Sequence, residues 1–115
     1  MFATIKSSTE VSRVFTQGKR LNAHSLTLLV YENEEQHGRG GRVAFIAGKK
    51  LGNAVWRNRA KRRLREVCRA VGGPWDGFDV VFMARRSTAD EAFAKLTADG
   101  EWLARKAGLQ RGEEK

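Results

Sequence analysis

Apolar residues recur along this chain with two different periods, and each period is typical of one kind of secondary structure. Across residues 53–71 they recur every three or four positions, which predicts an amphipathic helix that begins after Asn53, a favoured N-cap residue. The apolar stripe of this helix comprises Trp56, Ala60, Leu64, Val67, Cys68 and Val71. Three other segments, at 25–32, 42–47 and 78–84, are short β-rich runs bounded by turn residues, and they predict strands.

Two further helical regions flank these segments. The stretch "SSTEVSRVFTQG" predicts a short helix with Ser7 and Glu10 in capping-box spacing and Gly18 at its end. From Ser87 onward the pattern is again helical, and we expect two helices there, because Gly100 disfavours an unbroken one. Mixed strands and helices in 115 residues indicate a single α+β domain over 1–115, with the polar tail 110–115 frayed.

The net charge restricts the kind of partner. The chain has 22 Lys and Arg against 13 Asp and Glu, a formal charge of +9, which favours nucleic acid or an anionic membrane surface. No apolar run is long enough for a spanning helix and the first residues do not resemble a signal peptide, so we expect a cytoplasmic protein. One cysteine, Cys68, allows no internal disulfide, and no Cys/His cluster has zinc-ligand spacing.

Much of this charge lies on the predicted central helix and its approach. Residues 49–65 hold eight Lys or Arg, and Glu66 is the only acid between Lys49 and Val71. A solvated helix face usually mixes both signs, so simple solubility explains this run poorly. Arginine outnumbers lysine six to one from Arg57 to Arg69, and its planar fork suits phosphate oxygens. A membrane surface is disfavoured because the apolar stripe is needed to cover the sheet. RNA or DNA is the favoured partner.

The residues that could support unaided catalysis are scattered. Metal-dependent phosphodiester cleavage needs converging carboxylates, whereas Glu32, Glu34 and Glu35 lie in or beside a polar loop. His24 and His37 are expected at the surface, although a paired-imidazole nuclease stays open. Cys68 on the apolar stripe is expected to be a core residue, because burial opposes thiolate formation. We therefore predict no catalytic residue, and a bound metal ion stays unknown.

The segment "GKKLGNAVWRNRAKRRLRE" (48–66) resembles the signature of the bacterial ribonuclease P protein subunit. The segments "EVSRVFTQGKR", "FDVVFMARR" and "LARKAGL" resemble that family in order and spacing, so the likeness spans nearly the whole chain. It implies a small two-layer α/β sandwich of order αβββαβαα, similar to a ribosomal-protein domain. Its βαβ crossover would be left-handed, against the usual right-handed rule.

The resemblance also implies a function. The chain would be the protein subunit of ribonuclease P, assisting the removal of the 5′ leader from precursor tRNA. The catalytic centre of this endoribonuclease and most of its Mg²⁺ would belong to the RNA subunit, and the protein alone would be monomeric. Two alternatives are a ribosome-associated or general RNA-binding module without a role in processing, and a free-standing endonuclease.

Two RNA-binding surfaces follow from the resemblance. The surface for the catalytic RNA comprises Lys49, Lys50, Arg57, Asn58, Arg59, Lys61, Arg62, Arg65 and Arg69. The cleft for the single-stranded leader comprises Val11, Phe15, Leu29, Arg85 and Arg86. Val11 and Leu29 stand where family members are expected to have aromatic residues, so leader binding would depend more on charge. Phe15 is equally compatible with a core position, and Arg85 and Arg86 with a solvated strand end.

Overall fold

The computed structural model describes residues 3–109, which contain both α-helices and β-strands. The elements are α1 (Ser8–Gln17), β1 (Lys19–Asn22), β2 (Leu26–Glu32), β3 (Arg42–Ile46), α2 (Ala54–Ala70), β4 (Phe78–Ala84) and α3 (Phe93–Lys106). The strands form one sheet in the order β1-β2-β4-β3, in which β3 and β4 are parallel and the other pairs antiparallel. The predicted α+β class is confirmed.

Helices cover both faces of the sheet. On one face Leu28 and Phe82 pack with Leu64 of α2 and Leu96 of α3. On the other face α1 contributes Val14 to a smaller cluster of Ile5, Val14, Leu29 and Val81. The prediction of two layers was therefore wrong, because α1 adds a third layer opposite α2 and α3.

Helix α2 follows its predicted apolar stripe. Its first turn is capped by Asn53, whose Oδ1 accepts a hydrogen bond of 2.9 Å from the backbone N–H of Trp56. Trp56 is partly buried, and the other stripe residues are buried: Ala60, Leu64, Val67, Cys68 and Val71. Burial of a leucine such as Leu64 stabilises the fold by about 1.5–3 kcal/mol. The opposite face of α2 is therefore held in a fixed orientation towards solvent.

Helix α1 is tied to the sheet by an ionic network. Its N-terminus is capped by Ser7, whose hydroxyl accepts from the backbone N–H groups of Thr9 and Glu10. Arg42 donates from Nε and Nη2 to the carboxylate of Asp79 at 3.0 and 2.8 Å, and from Nη1 to Glu10 at 3.0 Å. Because Arg42 begins β3 and Asp79 lies in β4, this network joins α1 to the parallel strand pair.

The C-terminal region forms one helix, which corrects the prediction of two. Gly100 lies inside α3 and faces α2, where an added Cβ would lie 2.6 Å from Cγ1 of Val67. A side chain at position 100 would therefore clash with α2, and this packing outweighs the helix preference that predicted a break. Helix α3 also begins at Phe93 rather than Ser87.

Three predictions have no structural outcome. The left-handed crossover and the likeness to a ribosomal-protein domain stay predictions, and the frayed tail 110–115 lies outside the described residues. Within residues 3–109, no helix is long and apolar enough to cross a membrane.

Candidate nucleic-acid interface

The outward side of α2 carries concentrated positive charge. We define the α2 cationic face as Asn58, Arg59, Lys61, Arg62, Arg65 and Arg69; Lys61 is partly buried and the others are exposed. Glu66 forms an ion pair of 2.9 Å with Arg69. Across the described chain, Arg59, Lys61, Arg62 and Arg65 form no ion pair with a carboxylate. The field of this face is therefore largely uncompensated.

Two cations at or beside this face, Arg57 and Arg65, contact neutral groups of the protein. Nη1 of Arg57, which is partly buried beside the α2 cationic face, donates to the carbonyl oxygen of Gly52 at 3.0 Å. The guanidinium of Arg65 lies 5.5 Å from the ring centroid of Phe45, within cation–π range. These contacts orient the side chains without neutralising their charge, which leaves them available to an anionic partner.

Arg63 differs from its neighbours on α2. Its Nη1 donates to the backbone carbonyls of Thr88 and Ala89 at 3.0 and 2.8 Å, and its guanidinium lies 5.9 Å from the Phe93 ring. Arg63 thus fastens α2 to the turn before α3. It was not among the predicted RNA-binding residues, and the structure gives it a structural role.

The two predicted surfaces meet at one edge of the sheet. Because β3 and β4 are parallel, the exposed pairs Lys49–Lys50 and Arg85–Arg86 both follow carboxyl ends of strands at this edge. A recess of about 290 Å³ lies at this edge, lined by Arg20, Thr27, Leu51, Met83, Ala84, Arg85 and Arg86. Arg85 and Arg86 therefore border a depression that also reaches Leu51 of the segment before α2, and sequence reasoning did not predict it.

The predicted leader cleft lies on the sheet face that α1 partly covers. Phe15 is 41% exposed and Val11 is partly buried, so α1 offers both as one wall. Leu29 is only 1% exposed because it packs with Val14 and Val81. Its predicted place on the cleft surface is therefore wrong, and it supports α1 from below.

Ile46 and Met83, rather than Leu29, form the accessible floor of the cleft. Met83 pairs with Thr27 on one side and with Ile46 on the other, so the three form a row across the same sheet face. Ile46 and Met83 are partly buried and apolar. Sequence reasoning missed both, although the alternation of side chains along β3 and β4 places them on one face.

Arg85 closes the end of this row. Its Nη1 lies 3.3 Å from both Oδ1 of Asn22 and Oγ1 of Thr27, so the side chain turns back over the sheet. Arg86 is exposed beside it. The structure thus places Arg85 on the cleft side, close to the apolar floor.

The candidate catalytic side chains are not brought together. His24 and His37 precede and follow β2, whose seven residues span about 20 Å. Burial raises the pKa of the Cys68 thiol to about 12, so it is held as a neutral core residue. Among residues 3–109, no three His, Cys, Asp or Glu side chains form a group that could hold a metal ion.

These features define a small α+β protein that presents a cationic helix beside a partly apolar cleft. The family model described as Ribonuclease P matches residues 2–108. The ribonuclease P protein component of Symbiobacterium thermophilum is 38% identical over 113 residues, covering 95% of this chain and 94% of that protein. That of Gluconacetobacter diazotrophicus is 35% identical over 111 residues, covering 95% and 94%. The chain belongs to the ribonuclease P protein family.

Solved structures show the same fold. The RNase P protein of Staphylococcus aureus superposes with a TM-score of 0.78 at 24% identity, covering 95% of this chain and 98% of that one. The RNase P protein of Thermotoga maritima gives a TM-score of 0.70 at 23% identity, covering 94% and 96%.

Proposed function

We propose that this chain binds the RNA subunit of a bacterial ribonuclease P through the α2 cationic face and the neighbouring Lys49, Lys50 and Arg57. Membership of the family supports its role as the protein component of the ribonuclease P holoenzyme in tRNA processing. The observation that carries the proposed surface is the uncompensated charge of a helix whose other side is buried.

Phosphate recognition explains why this surface uses arginine. A guanidinium donates two parallel hydrogen bonds to phosphate oxygens, and each neutralised phosphate releases condensed counterions. The fixed orientation of α2 presents several such groups in a constant pattern. The surface therefore suits a folded RNA with phosphates at matching positions.

We further propose that the cleft holds the 5′ leader of precursor tRNA. Its wall provides one exposed aromatic side chain, Phe15, and its floor provides the partly apolar row at Ile46 and Met83. Arg85 and Arg86 supply positive charge at the end of this row. Many proteins bind single strands in this way: the bases stack on apolar or aromatic side chains, and nearby cations neutralise the backbone phosphates.

The catalytic centre is proposed to lie in the RNA, with Mg²⁺ bound mainly there. The protein would act by neutralising phosphates where the two RNAs approach, which raises the local affinity for substrate and for Mg²⁺. It would supply no general base, which agrees with the separation of His24 from His37 and with the raised pKa of Cys68. We expect the protein alone to be monomeric.

The test is reconstitution at low Mg²⁺. Adding the protein to a bacterial ribonuclease P RNA should stimulate cleavage of precursor tRNA at the leader junction. No stimulation would contradict the proposal and favour a general RNA-binding module. The protein without RNA is the control, and cleavage by it would contradict the placement of the catalytic centre in the RNA.

A further inference from the structure

A second groove lies at the outer edge of β3, between the N-terminal segment and α2. Thr4 pairs in parallel with Val43, with hydrogen bonds of 2.9 Å from Ile5 N–H to Val43 O and 3.0 Å from Val43 N–H to Ala3 O. Residues 3–5 therefore run along the outer edge of β3. Between this segment, β3 and α2 lies a groove of about 820 Å³.

The charge of this groove is positive on both walls. Lys61, Arg65 and Arg69 line it at four-residue spacing, which places them along one side of α2, and Lys6 lines it from the N-terminal segment. None of its lining residues is acidic. The nearest acid on α2 is Glu66, which pairs with Arg69. Three of the four lining cations form no ion pair within the described chain, so the groove suits an anion.

The groove also offers a planar surface. The Arg65 guanidinium lies 5.5 Å from the centroid of the Phe45 ring, and that ring lies 5.4 Å from the Phe82 ring in the core. Arg65 is exposed, so its guanidinium is accessible to a further flat group. Arginine planes stack on nucleobases in this manner.

We propose that this groove is a nucleotide-binding site, in which a base stacks on Arg65 and phosphates bind Lys6, Lys61 and Arg69. Its volume lies within the range of about 300–1,000 Å³ that ligand sites occupy. If the nucleotide is part of an RNA, the inference rests on the proposed function, because the nucleotide would then be an unpaired nucleotide of the RNA that binds α2. A free nucleoside triphosphate has the same chemistry and is the other source.

The variants that test the groove avoid the residues assigned to the α2 cationic face. Lys6 is exposed, so Lys6→Ala should leave the fold intact. Phe45→Leu keeps an apolar side chain against Phe82 while it removes the ring beneath Arg65. Arg39→Ala, in the exposed loop between β2 and β3, is the charge-matched control for Lys6→Ala. Thermal unfolding of each variant checks the fold.

The probes are a fluorescent single-stranded RNA pentamer, a blunt-ended RNA duplex without unpaired bases, and ATP as competitor. Loss of one stacked base typically weakens binding about tenfold or more, so we expect each groove variant to lower pentamer affinity by about five- to tenfold. Duplex affinity should change less than about twofold, because paired bases cannot enter the groove. Arg39→Ala should change the affinities for the two RNA probes to the same extent.

The outcomes separate the two sources and the two proposals. Displacement of the pentamer by ATP supports a site open to free nucleotides, and pentamer binding without displacement supports a strand-specific site. Equal losses of affinity for pentamer and duplex, or no loss for the pentamer, would contradict the proposed nucleotide site. If the groove proposal is contradicted but the protein still stimulates cleavage by the RNA, the proposed function is kept without the groove. If the protein does not stimulate cleavage, but the groove variants still lose affinity for the pentamer only, the proposed function alone is contradicted.

Discussion

Arg42 and Arg62 are the same residue type in opposite electrostatic surroundings. The Arg42 side chain is 17% exposed, and its hydrogen bonds to Asp79, followed by those to Glu10, raise its pKa although burial opposes this. Arg62 is exposed and has no carboxylate partner in the described part of the chain. An arginine whose N–H donors are already satisfied by the protein stabilises the fold, whereas one without such acceptors is available to phosphate.

The largest effect is expected for Arg42→Ala. This change leaves the Asp79 carboxylate, in a residue 1% exposed, buried without its cation, and such a loss costs about 3–5 kcal/mol. Chemical denaturation should show the decrease in the free energy of unfolding. Arg39→Ala is the matched control and should stay within about 0.5 kcal/mol of the parent. A loss below about 1 kcal/mol for Arg42→Ala would contradict the structural role.

A second pair extends the comparison to apolar neighbours on α1. Val14 is 0% exposed and Phe15 is 41% exposed. Val14→Ala removes two buried methylene equivalents and leaves a cavity, so we expect a loss of about 2–3 kcal/mol in unfolding free energy. Phe15→Ala should instead weaken binding of precursor tRNA by about 1–3 kcal/mol, the cost of a lost stacking contact.

The readout for this pair is the affinity ratio of precursor to leaderless tRNA in the reconstituted holoenzyme. Phe15→Ala should lower that ratio, and Val14→Ala should leave it unchanged while the protein is folded. A ratio insensitive to Phe15→Ala would show that Phe15 does not contact the leader.

A third pair tests two adjacent arginines of α2. Arg63→Ala removes hydrogen bonds to two backbone carbonyls and should cost about 1–2 kcal/mol of unfolding free energy. Arg62→Ala should change stability by less than about 0.5 kcal/mol and should weaken RNA binding more than Arg63→Ala does. Equal losses of stability for the two variants, or a larger loss of RNA affinity for Arg63→Ala, would contradict the assignment of Arg63 to the fold and of Arg62 to RNA binding.

The parts of the fold that local pattern determines were predictable. The cap at Asn53 and the buried stripe of α2 follow from a repeat within one segment, and β4 has its predicted limits of 78–84. Strand β1 has only four residues and one partly buried leucine, Leu21, so local pattern could not define its limits.

The features that sequence reasoning missed depend on distant contacts. Gly100 is accommodated in α3 because it faces Val67, and Leu29 is buried because α1 brings Val14 onto it. The structural role of Arg63 depends on carbonyls 25 and 26 residues away. No periodicity within a single segment encodes these contacts, and so the predicted site included the buried Leu29.

The salt dependence of RNA binding tests the central claim most directly. The double variant Arg62→Ala/Arg65→Ala is compared with Arg39→Ala/Arg105→Ala, which removes the same charge away from the α2 cationic face. With single-stranded RNA, each lost phosphate contact lowers the slope of log affinity against log salt by about 0.7, so the α2 double variant should lose about 1.4. The control should keep the parental slope. Equal slopes for both folded double variants would contradict the assignment of α2 as the RNA-binding surface.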